Sequence, residues 1–464
     1  MYITEGEKIK AKLIYGSKSA MSLEEIILEE LKEWDNSPVF KDMKTGNAYY
    51  RYEQKADGIK SGFFRKITKQ KTDYLLSKPF SVLTENTAYL EQLNVIFDDY
   101  FRASLKRCGT QSVTKGIGWK QVYFEDNKIA FMVIPSEEVK PLWTDAEHKK
   151  LDAVIRRWYR TEYEGKTAKR VCHVEYWSAD GVKRYIHENG NLIPDVENGD
   201  EGHHFTINGK GYNWERVPFV AFKYNDDELP LIKGLQGAID DYDAQKNTMA
   251  QLLRDVPEFI YVLRNYGGII GDDGNGFTNF LETLRKNRGL LVDEDGGVDK
   301  LTADINIDAY DTFMQQARKD IYEFGRAVDT QAVDLGNASG QALKFRYADL
   351  DNDCNDMEAE FKAGLQNVLW FVNVYLKIMG KGDFFSETVD FVFNRDTIIN
   401  EAEAIQMCTN SKDIVSDETI LNNHPWVEDT QEELERLKVQ QEENIKRQQG
   451  MFGMVPNTPP GGDE

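Results

Sequence analysis

Asp349-x-Asp351-x-Asp353 followed by Glu360 sets carboxylates at positions one, three, five and twelve of a short span. That is the spacing with which an EF-hand loop wraps calcium, a hard cation that takes oxygen ligands. Helical patterns lie on both sides. Two positions depart from the pattern: Cys354 occupies the sixth, where a glycine permits the sharp turn, and Asp356 the eighth, usually apolar. The competing reading is a solvated acidic face on a long helix. A calcium-responsive helical binding protein is therefore one alternative, and a hydrolase or nuclease using scattered carboxylates is another.

Other chemical signatures fail on spacing. No G-x-x-x-x-G-K-[ST] loop is present, which excludes a P-loop motor. Gly336-Asn337-Ala338-Ser339-Gly340 has the wrong spacing for a G-x-S-x-G nucleophile elbow. The six histidines include no H-E-x-x-H pair, and His203-His204 sits in a Gly-rich turn expected at the surface. Cys108, Cys172, Cys354 and Cys408 lie far apart, with no C-x-x-C, and read as buried thiols. No catalytic residue, metal site or cofactor is expected.

Composition bounds the rest. The 464 residues are 41% hydrophobic and carry a net charge of -22, so two or more lobes are expected and a tight duplex-DNA binder is not. The N-terminus shows no signal-peptide pattern, and the most apolar run, Val368 to Leu376, is too short to span a bilayer and is interrupted by Asn373. The chain reads as soluble and cytosolic.

The elements that would position any site follow from periodicity. Residues 22–34 read as a helix with Ser22 as N-cap and Leu23, Ile26, Ile27 and Leu31 on one face. Phe63–Leu76 reads as a second, stopped by Lys78-Pro79, and Asn86–Cys108 as a third. Hairpins are expected where Trp119–Phe124 and Ile129–Ile134 flank Asp126-Asn127, and where Val171–Trp177 and Val182–His187 flank Ala179-Asp180-Gly181. Val217–Phe222 closes this region as a strand. Two long helices, Leu231–Asp255 with the stripe Ile232, Leu235, Ala238, Ile239 and Tyr242, and Asp308–Val328 with Tyr310, Phe313, Met314, Ala317, Ile321, Phe324 and Val328, bracket a turn-rich tip. A weakly charged loop, 330–340, leads into a very long helical pattern, Gln341–Met379, where Asp349, Asp351, Asp353 and Asp356 suggest a kink or break. Thr388–Phe393 alternates as a strand. Short polar helices at Glu401–Asn410, Ser416–Asn422 and Gln431–Gln449 precede a Gly/Pro-rich tail read as disordered.

Glu258-Phe-Ile-Tyr-Val-Leu-Arg-Asn-Tyr266 after a long helix, then Gly336-Asn-Ala-Ser-Gly-Gln-Ala-Leu-Lys344 before a longer one, resembles the portal proteins of siphophages with Gram-positive hosts. Lys71-Thr-Asp-Tyr-Leu-Leu-Ser-Lys-Pro79, Val217-Pro-Phe-Val-Ala-Phe222, Ile414-Val-Ser-Asp-Glu-Thr-Ile-Leu421, and Pro425 with Asp429 to Leu437 agree in the family's order, although Ser77 stands where a Gly is expected. The resemblance covers most of residues 60–440.

It implies an α+β, multi-domain portal fold with an α/β wing, a two-helix stem, a small α/β clip, a long kinked return helix and a helical crown. Residues 1–230 would form the N-terminal part of the wing, 231–256 and 307–329 the stem helices and 257–306 the clip. Residues 330–340 would be the tunnel loop, 341–395 the rest of the wing, 396–445 the crown and 446–464 a disordered tail.

Function and partners follow as implications. The protein would form a homo-oligomeric ring, dodecameric in the virion, at one capsid vertex, assembled in the host cytoplasm. Double-stranded DNA would pass through it during packaging, retention and ejection. It would dock the terminase large subunit and then head–tail adaptors, meet major capsid and scaffolding proteins, and make no membrane contact.

In that setting Gln331, Asp334, Asn337 and Ser339 are expected to face DNA from the tunnel loop. A passage must not grip phosphates, so a neutral or acidic lining suits it. The basic residues Lys233, Lys246, Arg318, Lys319, Arg326, Lys344 and Arg346 are candidates for the tunnel wall, against the alternative of intra- or inter-subunit ion pairs. Acidic clip turns, Asp272-Asp273 and Asp293-Glu294-Asp295, are expected to dock the motor and adaptor.

Overall fold

The computed structural model describes residues 21–55, 58–164, 166–207, 209–255, 260–264, 295, 297–301, 307–331, 340–395, 401–427 and 430–452. The chain divides into two compact units: Met1–Ala327 with Cys354–Asn394, and Val328–Asp353 with Arg395–Glu464.

The first unit opens with α1 (Leu23–Asn36), started by a capping box between Ser22 and Glu25, and α2 (Pro38–Arg51), whose proline takes the first helical turn. α3 (Phe63–Leu76) follows, then β1 (Ser81–Leu83), α4 (Thr87–Ile96) and α5 (Asp99–Lys115). The single helix expected over Asn86–Cys108 is thus two. Asp98 restarts the chain by accepting the Phe101 N–H at 2.7 Å, while Phe97 is buried in the gap.

β2 (Ile117–Glu125) and β3 (Lys128–Ile134) form the expected hairpin. Glu125 pairs with Lys128, and Asp126 and Asn127 both take the left-handed conformation that a two-residue type I′ turn requires. β4 (Val139–Trp143), β5 (Leu151–Glu164), β6 (Thr167–Ser178), β7 (Gly181–Glu188) and β8 (Asn191–Pro194) build an antiparallel sheet in that order, with β9 (Glu201–Gly202) on β7. β10 (Phe205–Ile207) pairs with β11 (Lys210–Tyr212), and β12 (Phe219–Lys223) joins β2. One face of the large sheet packs on α1 through Ile26, Ile27, Leu31, Ile155, Val174 and Tyr185.

α6 (Ile232–Asp255), the strand pair β13 (Ile260–Arg264) and β14 (Gly297–Leu301), and α7 (Ile307–Phe324) come next. α8 (Gly340–Ile378) is one unbroken α-helix of 39 residues. The four aspartates therefore do not break it. From Cys354 onward the stripe Met357, Phe361, Leu365, Val368, Val372 and Tyr375 is buried against α4, α5 and β1, which outweighs the local repulsion of partly solvated carboxylates. β15 (Asp390–Val392) pairs with β1. The second unit holds α9 (Glu401–Asn410), α10 (Asp417–Asn422), capped by Ser416, and α11 (Thr430–Phe452). The chain is α+β and multi-domain, as expected.

All four cysteines are free thiols. Cys108, Cys172 and Cys354 are buried and Cys408 is half-buried; burial pushes the Cys108 thiol up to about 12 and raises that of Cys172. No described helix is long and apolar enough to cross a membrane.

Candidate functional site

The continuity of α8 overturns the calcium alternative. An EF-hand gathers its ligands by folding a loop around the ion. Here Asp349, Asp351, Asp353 and Glu360 are spread around and along one helix, and Arg395 Nη1 takes Asp351 Oδ1 at 3.2 Å. His204 also departs from the surface reading. It is buried, its Nε2 lies 2.8 Å from Ser178 O, its Nδ1 accepts the Trp214 N–H at 3.0 Å, and desolvation pulls its pKa down to about 4. It is a neutral core histidine.

What the fold does build is a paired-helix post on a helical base. α6 carries Ile232, Leu235, Ile239 and Tyr242 on its buried face, with Ala238 beside them, which is the expected stripe. α7 buries Met314, Ile321 and Tyr322, with Tyr310 and Ala317 partly covered. Phe313 and Phe324 are exposed, at 46% and 58%. The buried face is thus turned toward Tyr322 by a fraction of a helical turn, leaving Phe313 and Phe324 on its uncovered flank. At about 100° per residue those two side chains, eleven apart, point the same way. On α6, Leu253 is likewise open at 57%.

α3 clamps the post at one end. Phe63 meets Tyr242 at 5.0 Å and Tyr322 at 5.8 Å, both edge-to-face, and the Arg318 guanidinium lies 5.5 Å from the Phe63 ring centre. α2 supplies the other side. The Tyr49 hydroxyl donates to Asp240, and Gly46 lets α2 approach so closely that a Cβ there would overlap the Thr114 carbonyl. Ser61 N donates to Asp243 Oδ1 at 3.0 Å; burial raises the pKa of this carboxyl.

The end of α7 is fixed by a residue the sequence reading passed over. Lys71 is fully buried on α3 and donates from Nζ to Arg326 O at 3.0 Å. Arg326 itself sits in the left-handed region, and the Ala327 N–H reaches back to Tyr322 O at 2.9 Å, closing the helix. The signal was present: Lys71 falls four residues after Ile67 and four before Leu75, in the middle of an apolar stripe where a solvated lysine has no place. Lys71→Met should keep the packing of the stem but remove the lysine donor from the part-buried Arg326 carbonyl, a loss of roughly 1 kcal/mol. Faster amide exchange at 325–327, with the exchange of α6 unchanged, is the expected readout; unaltered exchange at 325–327 would refute the role.

The basic candidates take several environments. Lys233 pairs with Asp42 at 2.5 Å, Lys246 lies over the Tyr242 ring at 5.4 Å, and Arg318 is held among the aromatic rings. Lys319, Arg326 and Arg346 are exposed. Gln331 is exposed, with its N–H on Asp329 Oδ1 at 3.0 Å, and Asp295 is exposed. Asp334, Asn337, Ser339, the Lys344 side chain, Asp272, Asp273, Asp293 and Glu294 lie outside the described residues. α6 bears three basic and four acidic side chains, and α7 two and four, so neither is a phosphate-gripping helix.

Comparison with known proteins adds to this geometry. Residues 23–447 match the family described as "Phage portal protein, SPP1 Gp6-like". The portal protein of Bacillus phage SPP1 is 30% identical over 376 residues, covering 80% of this chain and 73% of that one. The portal protein of Clostridium phage phiCD119 is 24% identical over 400 residues, covering 82% and 84%. A chain from the virion of a native gene transfer agent particle superposes with a TM-score of 0.46 at 12% identity, covering 86% of this chain and 98% of that one.

Proposed function

Since the chain belongs to the SPP1 Gp6-like family of phage portal proteins, non-enzymatic structural components of the virion, we propose that it closes into a ring at one capsid vertex and passes double-stranded DNA. The match over residues 23–447 carries this reading. The post α6–α7 supports it physically. Phe313 and Phe324 form an apolar flank that one chain leaves in water, and a neighbouring copy covers such a flank in a ring. The inward surface then carries little net positive charge, so DNA slides without being braked.

In this reading residues 330–340 face the duplex, with Gln331, Asp334, Asn337 and Ser339 nearest it. The acidic residues Asp272, Asp273, Asp293, Glu294 and Asp295 meet the terminase large subunit and later the head–tail adaptor. Twelve copies in the virion, with capsid and scaffolding proteins around them, complete the assembly.

Deletion of 332–338 tests the channel. Electron microscopy of the purified variant should still show rings with a central hole, while packaged DNA falls or leaks from particles. Normal packaging by such rings would refute the tunnel assignment. Monomers of the intact protein at every concentration would refute the ring.

A further inference from the structure

The β5–β6 hairpin outgrows its sheet. β4 covers β5 only over Leu151–Arg156, and β7 covers β6 only over Cys172–Ser178, yet the two strands stay paired out to Glu164 and Thr167. Beyond Tyr159 and its partner Cys172 both outer edges of this arm are unpaired among the described residues. Five steps at about 3.4 Å carry it roughly 17 Å past its neighbours.

One face of the arm is aromatic and basic. Tyr159, Thr161 and Tyr163 alternate outward opposite Cys172, Arg170 and Ala168. Tyr159 is 53% exposed and Tyr163 75%, and the Arg170 guanidinium lies 4.4 Å over the Tyr159 ring. Arg170 lies on this face and Arg160, opposite Val171, on the other; both are exposed, as is Lys166, and none has a carboxylate partner among the described residues. A positive, tyrosine-bearing arm is unusual on a chain of net charge -22.

The same chain carries its counterpart. A groove of about 710 Å³ lies where β1 and β15 meet the start of α4. Leu83 and Leu90 give it an apolar floor, Glu85, Glu387 and Asp390 give it negative charge, and no basic residue lines it. Leu83 is half exposed.

We propose that the arm of one copy seats in the β1–β15 groove of the next, Tyr163 on the apolar floor and Arg170, on the same face, against Glu387 and Asp390. The contact uses two different patches, so it is head-to-tail and repeats from copy to copy until it closes or propagates. It deepens the ring reading and rests on it only for closure.

Two experiments on the full-length protein test it. Tyr163→Cys with Ser386→Cys, treated with a thiol oxidant, should give a ladder of covalent multimers, while each single variant stays at the background set by Cys408. Arg170→Glu should raise the concentration needed for assembly about tenfold, with circular dichroism and Tm unchanged, and Glu387→Lys with Asp390→Lys should restore it. A double-cysteine variant with no ladder above the singles overturns the proposal, as does an arm variant that assembles like the parent. If the parent forms rings and the arm variant forms them equally well, only the arm contact fails. If the parent never assembles, the ring reading fails too. Assembly of the parent that appears only with added capsid protein seated on the arm also overturns it.

Discussion

Phe63→Ala should cost about 3–5 kcal/mol, the range for deleting a buried phenylalanine that leaves a cavity. The position makes the upper half of that range the expectation. Phe63 stands where α3, α6 and α7 meet, and its ring makes edge-to-face contacts with Tyr242 and Tyr322 together with the Arg318 guanidinium. Such ring pairs contribute about 0.5–1.5 kcal/mol each beyond burial. Alanine removes both and leaves Arg318 without its aromatic surface. Phe63→Leu keeps most of the volume and should cost less than half as much. The measurement is denaturant unfolding with hydrogen exchange. Protection should fall together along Ile232–Asp255 and Ile307–Phe324 while the β5–β6 sheet keeps its own. A loss under about 1 kcal/mol, or an exchange change confined to the first turn of α3, would show that the post is held elsewhere.

Lys120→Met should stabilise the protein, and by an amount that depends on pH. Lys120 points from β2 into the base of α5, wholly buried, with Nζ at 2.5 Å from Ser104 Oγ, 3.3 Å from Phe101 O and 3.6 Å from the Phe101 ring centre. Desolvation pulls its pKa from 10.5 down to about 7; nearby Cys108 and Asp98 oppose the shift and Arg107 adds to it. The unfolded chain therefore holds this proton more tightly than the folded one. The resulting penalty is full below pH 7, declines as pH rises from 7, and vanishes near 10.5, where the unfolded lysine also loses its charge. A shift of this size corresponds to a penalty on the order of 5 kcal/mol. Methionine fills the same volume without a charge, and Ser104 Oγ still donates to Phe101 O at 2.7 Å. The gain in Tm over the parent should be largest at pH 6–7 and close to nothing at pH 10. A gain independent of pH would mean that packing, and not charge, explains it.

Periodic segments made much of this architecture legible. α3 has the expected bounds, the α6 stripe is buried as expected, and the Asp126-Asn127 hairpin has the register its turn residues dictate. Legibility failed where tertiary contacts chose among local options. α2 carries a mid-helix glycine and weak periodicity, and it is a helix because Gly46 permits contact with the Thr114 carbonyl, a partner far away in sequence. β5 alternates poorly because both of its faces carry charge or aromatic groups along an arm that has no core beneath it. The α7 stripe is narrower than its period suggests, since period alone cannot say which apolar flank the same chain covers. The aspartate run in α8 looked disruptive because sequence shows repulsion along the helix but not the phenylalanines and leucines that anchor its far half. Lys71 and Lys120 were hidden for the opposite reason: a lysine looks solvated until its backbone partners are known.

The thiols bear on how such a particle ages. Oxidation of cysteine proceeds through the thiolate, and three of the four sulfurs here are enclosed, with Cys108 and Cys172 held well toward the protonated form. A virion leaves a reducing cytosol and then waits in aerated surroundings with no enzyme to repair it. Cys408 alone is open to attack, so chemical wear during storage should begin in the second unit and spare the post and its base.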